Sequence, residues 1–134
     1  MTDPSRLGRI GLAGLALAAV IAALVSGGSP GTGRAEARDD ARRTDLSRLA
    51  DLALCIDREE NGLPDVLGPH DICNPDPPLD DPFTGERYGY NLLSHESFRL
   101  CATFERPERM TQGYGPARRF DAQTGCLTVQ RRDG

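Results

Sequence analysis

The chain has 134 residues, and its 16 basic residues, all arginine, stand against 20 acidic ones for a formal charge of −4. That length holds one ordinary domain at most. The acidic balance excludes a general nucleic-acid binder, which needs a basic face to neutralise phosphate. No G-x-G-x-x-G or Walker A sequence is present, which excludes the common dinucleotide and P-loop enzymes.

Residues 10–28 carry no charge and are mostly Leu, Ala, Val, Ile and Gly. At helical rise these nineteen residues span about 28 Å, close to the hydrocarbon thickness of a bilayer. With Arg6 and Arg9 ahead of it, the stretch predicts a short cytoplasmic tail and a transmembrane signal-anchor over residues 1–28. A peptidase-type site, Ala35-Glu36-Ala37, lies well beyond the apolar run. Cleavage after Ala37 would instead release a secreted protein. Arg34, Arg38, Arg42 and Arg43 on the far side favour an outside N-terminus by the positive-inside rule. The signal-like layout and the cysteines favour the opposite orientation. Gly14, Ala18, Ala22 and Ser26 form a small-residue ladder, which an Ala-rich helix produces without any packing role.

Residues 29–37 read as a flexible linker, because Ser29-Pro30-Gly31-Thr32-Gly33 interrupts helical pattern. The extracytoplasmic domain is expected over residues 38–134. A helix is expected from Ala35 to Asn61, with Leu46, Leu49, Ala53 and Ile56 at helical spacing on one stripe. Asn61-Gly62-Leu63-Pro64 supplies its stop, with Gly62 as the left-handed cap. Residues 65–82 hold most of a run of six prolines that begins at Pro64, and they read as loop. Asp81-Pro82-Phe83-Thr84-Gly85 reads as a turn. Tyr88, Tyr90 and Leu92 alternate, as do Phe98, Leu100, Ala102 and Phe104. The two runs predict a hairpin closed by Ser94-His95-Glu96-Ser97. Residues 107–116 read as loop, and Cys126–Gln130 as a last strand with Leu127 and Val129 inward. A helix stripe and three alternating strands predict a two-layer α+β core.

Cys55, Cys73, Cys101 and Cys126 are an even set in an exported chain, which reads as a disulfide framework with three connectivities open. Pairing of neighbours is favoured: Cys55 with Cys73 from the returning loop, and Cys101 with Cys126 from strands that would have to be adjacent. Closing loops of this length is worth up to about 3 kcal/mol each. A zinc site at Cys55, His70 and Cys73, with Cys101 as an optional fourth ligand, is the rival, but no C-x-x-C occurs. Asp71, Asp76, Asp80 and Asp81 crowd one loop and could hold calcium, although the EF-hand pattern is absent. Ser94, His95 and Glu96 have the residue types of a hydrolase triad, but sequence neighbours diverge in space and no nucleophile elbow is present. No catalytic residue and no cofactor is expected.

The order of an apolar N-terminal helix, an amphipathic helix ending in "NGLP", then "DPFTGERYGY", "FRLCATFE" and a late Cys126 resembles the pilin-related soluble domains on single-pass bacterial membrane proteins. The resemblance covers about Arg43 to Glu105. It implies a pseudopilin-like fold, one helix on a small antiparallel sheet, displayed from the inner membrane toward the periplasm or cell exterior. The prepilin peptidase site of true pilins is missing, since Gly8-Arg9-Ile10 and Gly11-Leu12 lead into a helix without the early Glu. Filament assembly is therefore not implied. The expected function is a membrane-held, disulfide-stapled, non-enzymatic interaction or structural module. Its partners would be the membrane and another envelope protein or a second copy, with no role for nucleic acid. The alternative is a secreted binding protein with a calcium-holding acidic loop. A small extracytoplasmic hydrolase or metalloenzyme is a more distant third.

Overall fold

The computed structural model describes residues 4–26, 30–73, 77–110 and 114–131. Ser29 of the expected linker, Asp76 of the acidic loop and the tail from Arg132 lie outside them. The chain divides into two units, Met1–Arg34 and Ala35–Gly134.

In the first unit, helix α1 runs over Pro4–Ser26. Its described side chains, Gly8 and residues 11–25, are all exposed. Among the described residues no helix is long and apolar enough to cross a membrane.

Helix α2 runs over Pro30–Glu60. It corrects the expected linker, because the chain is helical from Pro30 onward. Proline is tolerated in the first helical turn, where its missing N–H has no intrahelical partner. The good helix formers from Arg34 on then outweigh Gly31 and Gly33, which cost about 1 kcal/mol each relative to alanine. The stop falls where expected but by another residue. Asn61, not Gly62, takes the left-handed conformation at φ 56°, and Gly62 N–H donates to the Asp57 carbonyl at 3.2 Å. This is the six-to-one bond of a Schellman cap, with asparagine tolerating the left-handed site.

The sheet has four antiparallel strands: β1 Gly89–Ser94, β2 Ser97–Cys101, β3 Arg118–Asp121 and β4 Cys126–Gln130. Their order is β1-β2-β4-β3. The expected hairpin is β1–β2, with Tyr90 opposite Leu100 and Leu92 opposite Phe98. Strand β3 lies in a stretch where the apolar alternation predicts none. Strand β2 also stops at Cys101, short of Phe104, where the expected alternation ends. Beyond it the backbone turns to α2, where Glu105 and Arg106 donate their N–H groups to Asp39 at 3.0 and 2.6 Å.

One sheet face carries Phe98, Leu100, Leu127 and Val129, all 1% exposed or less. Leu46, Leu49, Ala50, Ala53 and Ile56 of α2 join them in a single cluster. The domain is therefore a two-layer α+β unit, as the sequence pattern implies. Apolar burial of side chains this size is worth about 1.5–3 kcal/mol each before entropy.

Candidate functional site

The two disulfides join the chain where neighbour pairing puts them. Cys55, near the end of α2, bonds Cys73 with 5.8 Å between α-carbons. Cys101 and Cys126 stand directly opposite each other on β2 and β4 and are bonded. Gly89 of β1 faces Cys101 from the other side, and a Cβ there would lie 3.3 Å from the Cys101 Cβ. A glycine at that position leaves room for the bridge. Cys126, expected on the outward face, is on that face by register but is buried at 7% exposure. The bridge and the turn before it cover the sulfur, which lies 3.4 Å from the Thr124 carbonyl.

The most concentrated polar chemistry is centred on Arg42, which is 2% exposed. Asp39 and Arg42 sit three apart on α2, on the helix face that continues into Leu46 and Leu49. Arg42 Nε donates to Asp81 Oδ2 at 2.6 Å. Its Nη1 donates to Asp39 Oδ1 at 2.8 Å and Glu105 Oε1 at 3.1 Å. Its guanidinium carbon lies 5.5 Å from the Phe83 ring centroid. Arg38 closes the outside with two bonds to Glu105 at 2.6 and 2.7 Å. Beside the cluster the Tyr88 hydroxyl donates to Asp45 Oδ2 at 2.9 Å.

This arrangement fixes the charges. Burial works to lower the Arg42 pKa, but its bonds to Asp81, Asp39 and Glu105 outweigh that and raise it. Burial likewise pushes Asp81 up, while Arg42 and the Phe83 N–H hold it below its ordinary value. Hydrogen bonds from Arg38 and then Arg42 bring Glu105 down to about 2. Burial, then the bond to Asp45, raises the Tyr88 hydroxyl. These groups are spent on one another. They clamp α2 to the 81–85 turn and to the chain leaving β2.

The 81–85 turn recurs later in the chain. Asp81-Pro82-Phe83-Thr84-Gly85 and Asp121-Ala122-Gln123-Thr124-Gly125 share the pattern D-x-x-T-G. In each, the Asp carboxylate accepts the N–H two residues on, at 2.8 and 2.9 Å. The Gly N–H donates to the Asp carbonyl at 2.8 and 2.9 Å, and the Gly takes positive φ, 72° and 66°. A Cβ on Gly125 would lie 2.4 Å from the Ala102 carbonyl oxygen, so backbone approach as well as φ requires glycine there. The first turn is the one its proline and glycine predict. The second closes the unexpected hairpin β3–β4, and its matching pattern is the available signal.

Among the described residues no three His, Cys, Asp or Glu side chains group as metal ligands. Asp81 is committed to Arg42, Asp80 pairs with Arg87 at 3.8 Å, Asp71 is exposed, and Asp76 is outside the described residues. Zinc loses its ligands, since Cys55 and Cys73 are bonded to each other. His70 instead ties the returning loop to the end of α2. Its Nδ1 accepts the Cys73 N–H at 3.3 Å, and its Nε2 lies 3.2 Å from Glu60. Ser94 serves the hairpin turn, sharing a hydrogen bond with Ser97 at 2.8 Å and accepting the Glu96 N–H at 3.2 Å. No family model, curated protein or solved structure matches the chain.

Proposed function

We propose that this is a single-pass envelope protein that holds a pseudopilin-like, non-enzymatic interaction domain outside the cytoplasm. The observation that carries the reading is the pair of disulfides, which use all four cysteines and leave none free. Such bridges form and persist in oxidising compartments. They suit a domain of about 100 residues whose core is one helix face and one sheet face. The anchor reading draws on α1, where Leu15 and Val25 are 75% and 79% exposed within an uncharged segment that needs an apolar surrounding. The order of one helix and then an antiparallel sheet agrees with the pilin-related resemblance. The membrane span, the outward orientation, the pilin relationship and the non-enzymatic interaction role are all the proposed part.

The test is the intact mass of non-reduced protein from separated membrane and soluble fractions. Full-length protein in the membrane with both bridges formed is the expected result. A soluble species beginning at Arg38 would make it a secreted protein, and four free thiols would overturn the extracytoplasmic placement.

A further inference from the structure

We propose that the open edge of β3 is a docking site for an acidic, extended segment of another protein, which adds to the sheet as a fifth strand. The inference deepens the interaction-module reading and rests on it.

Both outer strands, β1 and β3, have no further strand paired along them among the described residues. The chain just before β1 folds back on itself, with Tyr88 N–H donating to the Leu79 carbonyl at 3.0 Å and a bridge between Asp80 and Arg87. At the β3 edge Gln130 N–H donates to the Ala117 carbonyl at 2.9 Å. By antiparallel alternation, Arg119 and Asp121 therefore direct their main-chain groups to β4, while Arg118 and Phe120 direct theirs outward. Arg118 N–H is used by the Gly115 carbonyl at 2.9 Å. The Arg118 carbonyl and both Phe120 groups remain for a new strand.

A hollow lies on each face of the sheet at this edge. On the helix side, a cleft of about 460 Å³ is floored by Leu54, Tyr114 and Val129 and rimmed by Arg58, Arg118 and Arg131. On the outer side, a hollow of about 260 Å³ is lined by Pro116, Arg119 and Thr128. Ala117, Arg118 and Gln130 wall both. An added strand sends successive side chains to opposite faces, so its alternate residues would enter the two hollows in turn. This is the geometry of recognition by strand addition.

Charge selects the occupant. The domain from Ala35 on has 19 acidic residues against 13 arginines, yet at this edge Arg58, Arg118, Arg119 and Arg131 stand against Asp51, Asp57 and Asp121, a local excess of one positive charge. Arg118 and Arg131 are balanced by Asp51 and Asp57. Arg58 and Arg119 are exposed and make no ion pair among the described residues. An acidic strand is attracted, whereas a second copy of this edge is repelled.

The binding test uses the full chain in detergent micelles and a labelled octapeptide alternating glutamate and valine. Three results are expected: saturable binding, at least tenfold weaker binding to the R58E/R119E double variant, and loss of binding when alternate peptide nitrogens are methylated. Equal binding of the lysine-for-glutamate peptide, equal binding of the methylated peptide, or no binding would each overturn the proposal. A photo-crosslinker placed in cells at Arg119, or separately at exposed Val66, separates this failure from that of the underlying reading. Crosslinks at Val66 alone would overturn the β3 site and leave an interaction module. None at either position would overturn both, and crosslinks at Arg119 to an acidic segment are the expected result.

Discussion

Helix α2 is held to its sheet by two chemistries on one face. From Leu46 to Ile56 the buried residues are aliphatic, and they meet Phe98, Leu100, Leu127 and Val129. From Asp39 to Asp45 they are Asp39, Arg42 and Asp45, and they meet Asp81, Glu105, Tyr88 and two backbone N–H groups. The apolar half gains from area removed from water and tolerates loose partners of the right size. The polar half gains only when every group is matched, since a buried charge left alone is costly. One half is a general adhesive and the other is a lock of fixed register.

Substitutions on each side should break this contrast in different ways. The largest effect belongs to Leu49→Asp, which puts an unpaired carboxylate where no partner exists. It should abolish the cooperative urea transition, whereas Leu49→Ala should lower stability by about 2–5 kcal/mol. A soluble, folded Leu49→Asp domain would show that the stripe is not core. Arg42→Ala should cost about 3–5 kcal/mol, because Asp39 and Asp81 stay buried without their cation. Pairing it with Asp81→Ala should cost clearly less than the sum of the two single changes. Additive losses in that cycle would mean that the cluster does not act as a unit.

The bridges should come next. Cys101→Ala and Cys126→Ala should each cost about 3 kcal/mol by chain entropy, and the double change little more than either. Tyr88→Phe should cost about 1.5 kcal/mol through the lost bond to a carboxylate, read as a lower urea midpoint with unchanged slope.

The smallest effect is with pH. Glu105 and Asp81 are held below their unfolded values, so their contribution is complete above the ordinary carboxylate range. It is lost as pH falls, toward about 2 for Glu105. Tyr88 and Tyr90 are raised, Tyr90 to about 12 by burial. Their contribution is present below the ordinary tyrosine range, about 10, and fades as pH rises through the folded values. Urea midpoints should therefore form a plateau between these limits. A midpoint that climbs on acidification below about pH 4, the ordinary carboxylate value, would contradict the cluster's ionisation.

The two halves of α2 also differ in how far the sequence discloses them. The stripe from Leu46 to Ile56 and the hairpin from Tyr88 to Leu100 follow from periodicity and parity, which favour neighbour pairing of the cysteines while leaving the other connectivities open. Those rules describe apolar contact, and contact of that kind decides those elements. Asp39 and Arg42 look like an ordinary solvated pair, because the residues that bury them lie 39 to 67 positions away. Strand β3 escapes for a related reason: Arg118 occupies one of its two inward positions and pairs with Asp51. Only Phe120 remains to signal the alternation. The start of α2 is hidden because Pro30 and the glycines after it have the look of helix breakers, although a proline in the first turn is compatible with a helix.

The Arg42 cluster also sets an order of assembly. The Cys55–Cys73 bridge joins residues 18 apart, within reach of local motion. The cluster needs α2, the 81–85 turn and the chain at Glu105 together, and its longest bond spans 67 residues. Loop-closure entropy places such contacts late. Folding under oxidising conditions should thus pass through a species with Cys55–Cys73 closed while the start of the domain's helix still frays. The segment between Ala35 and Asp45 would then be the last part of the domain to become resistant to proteolysis.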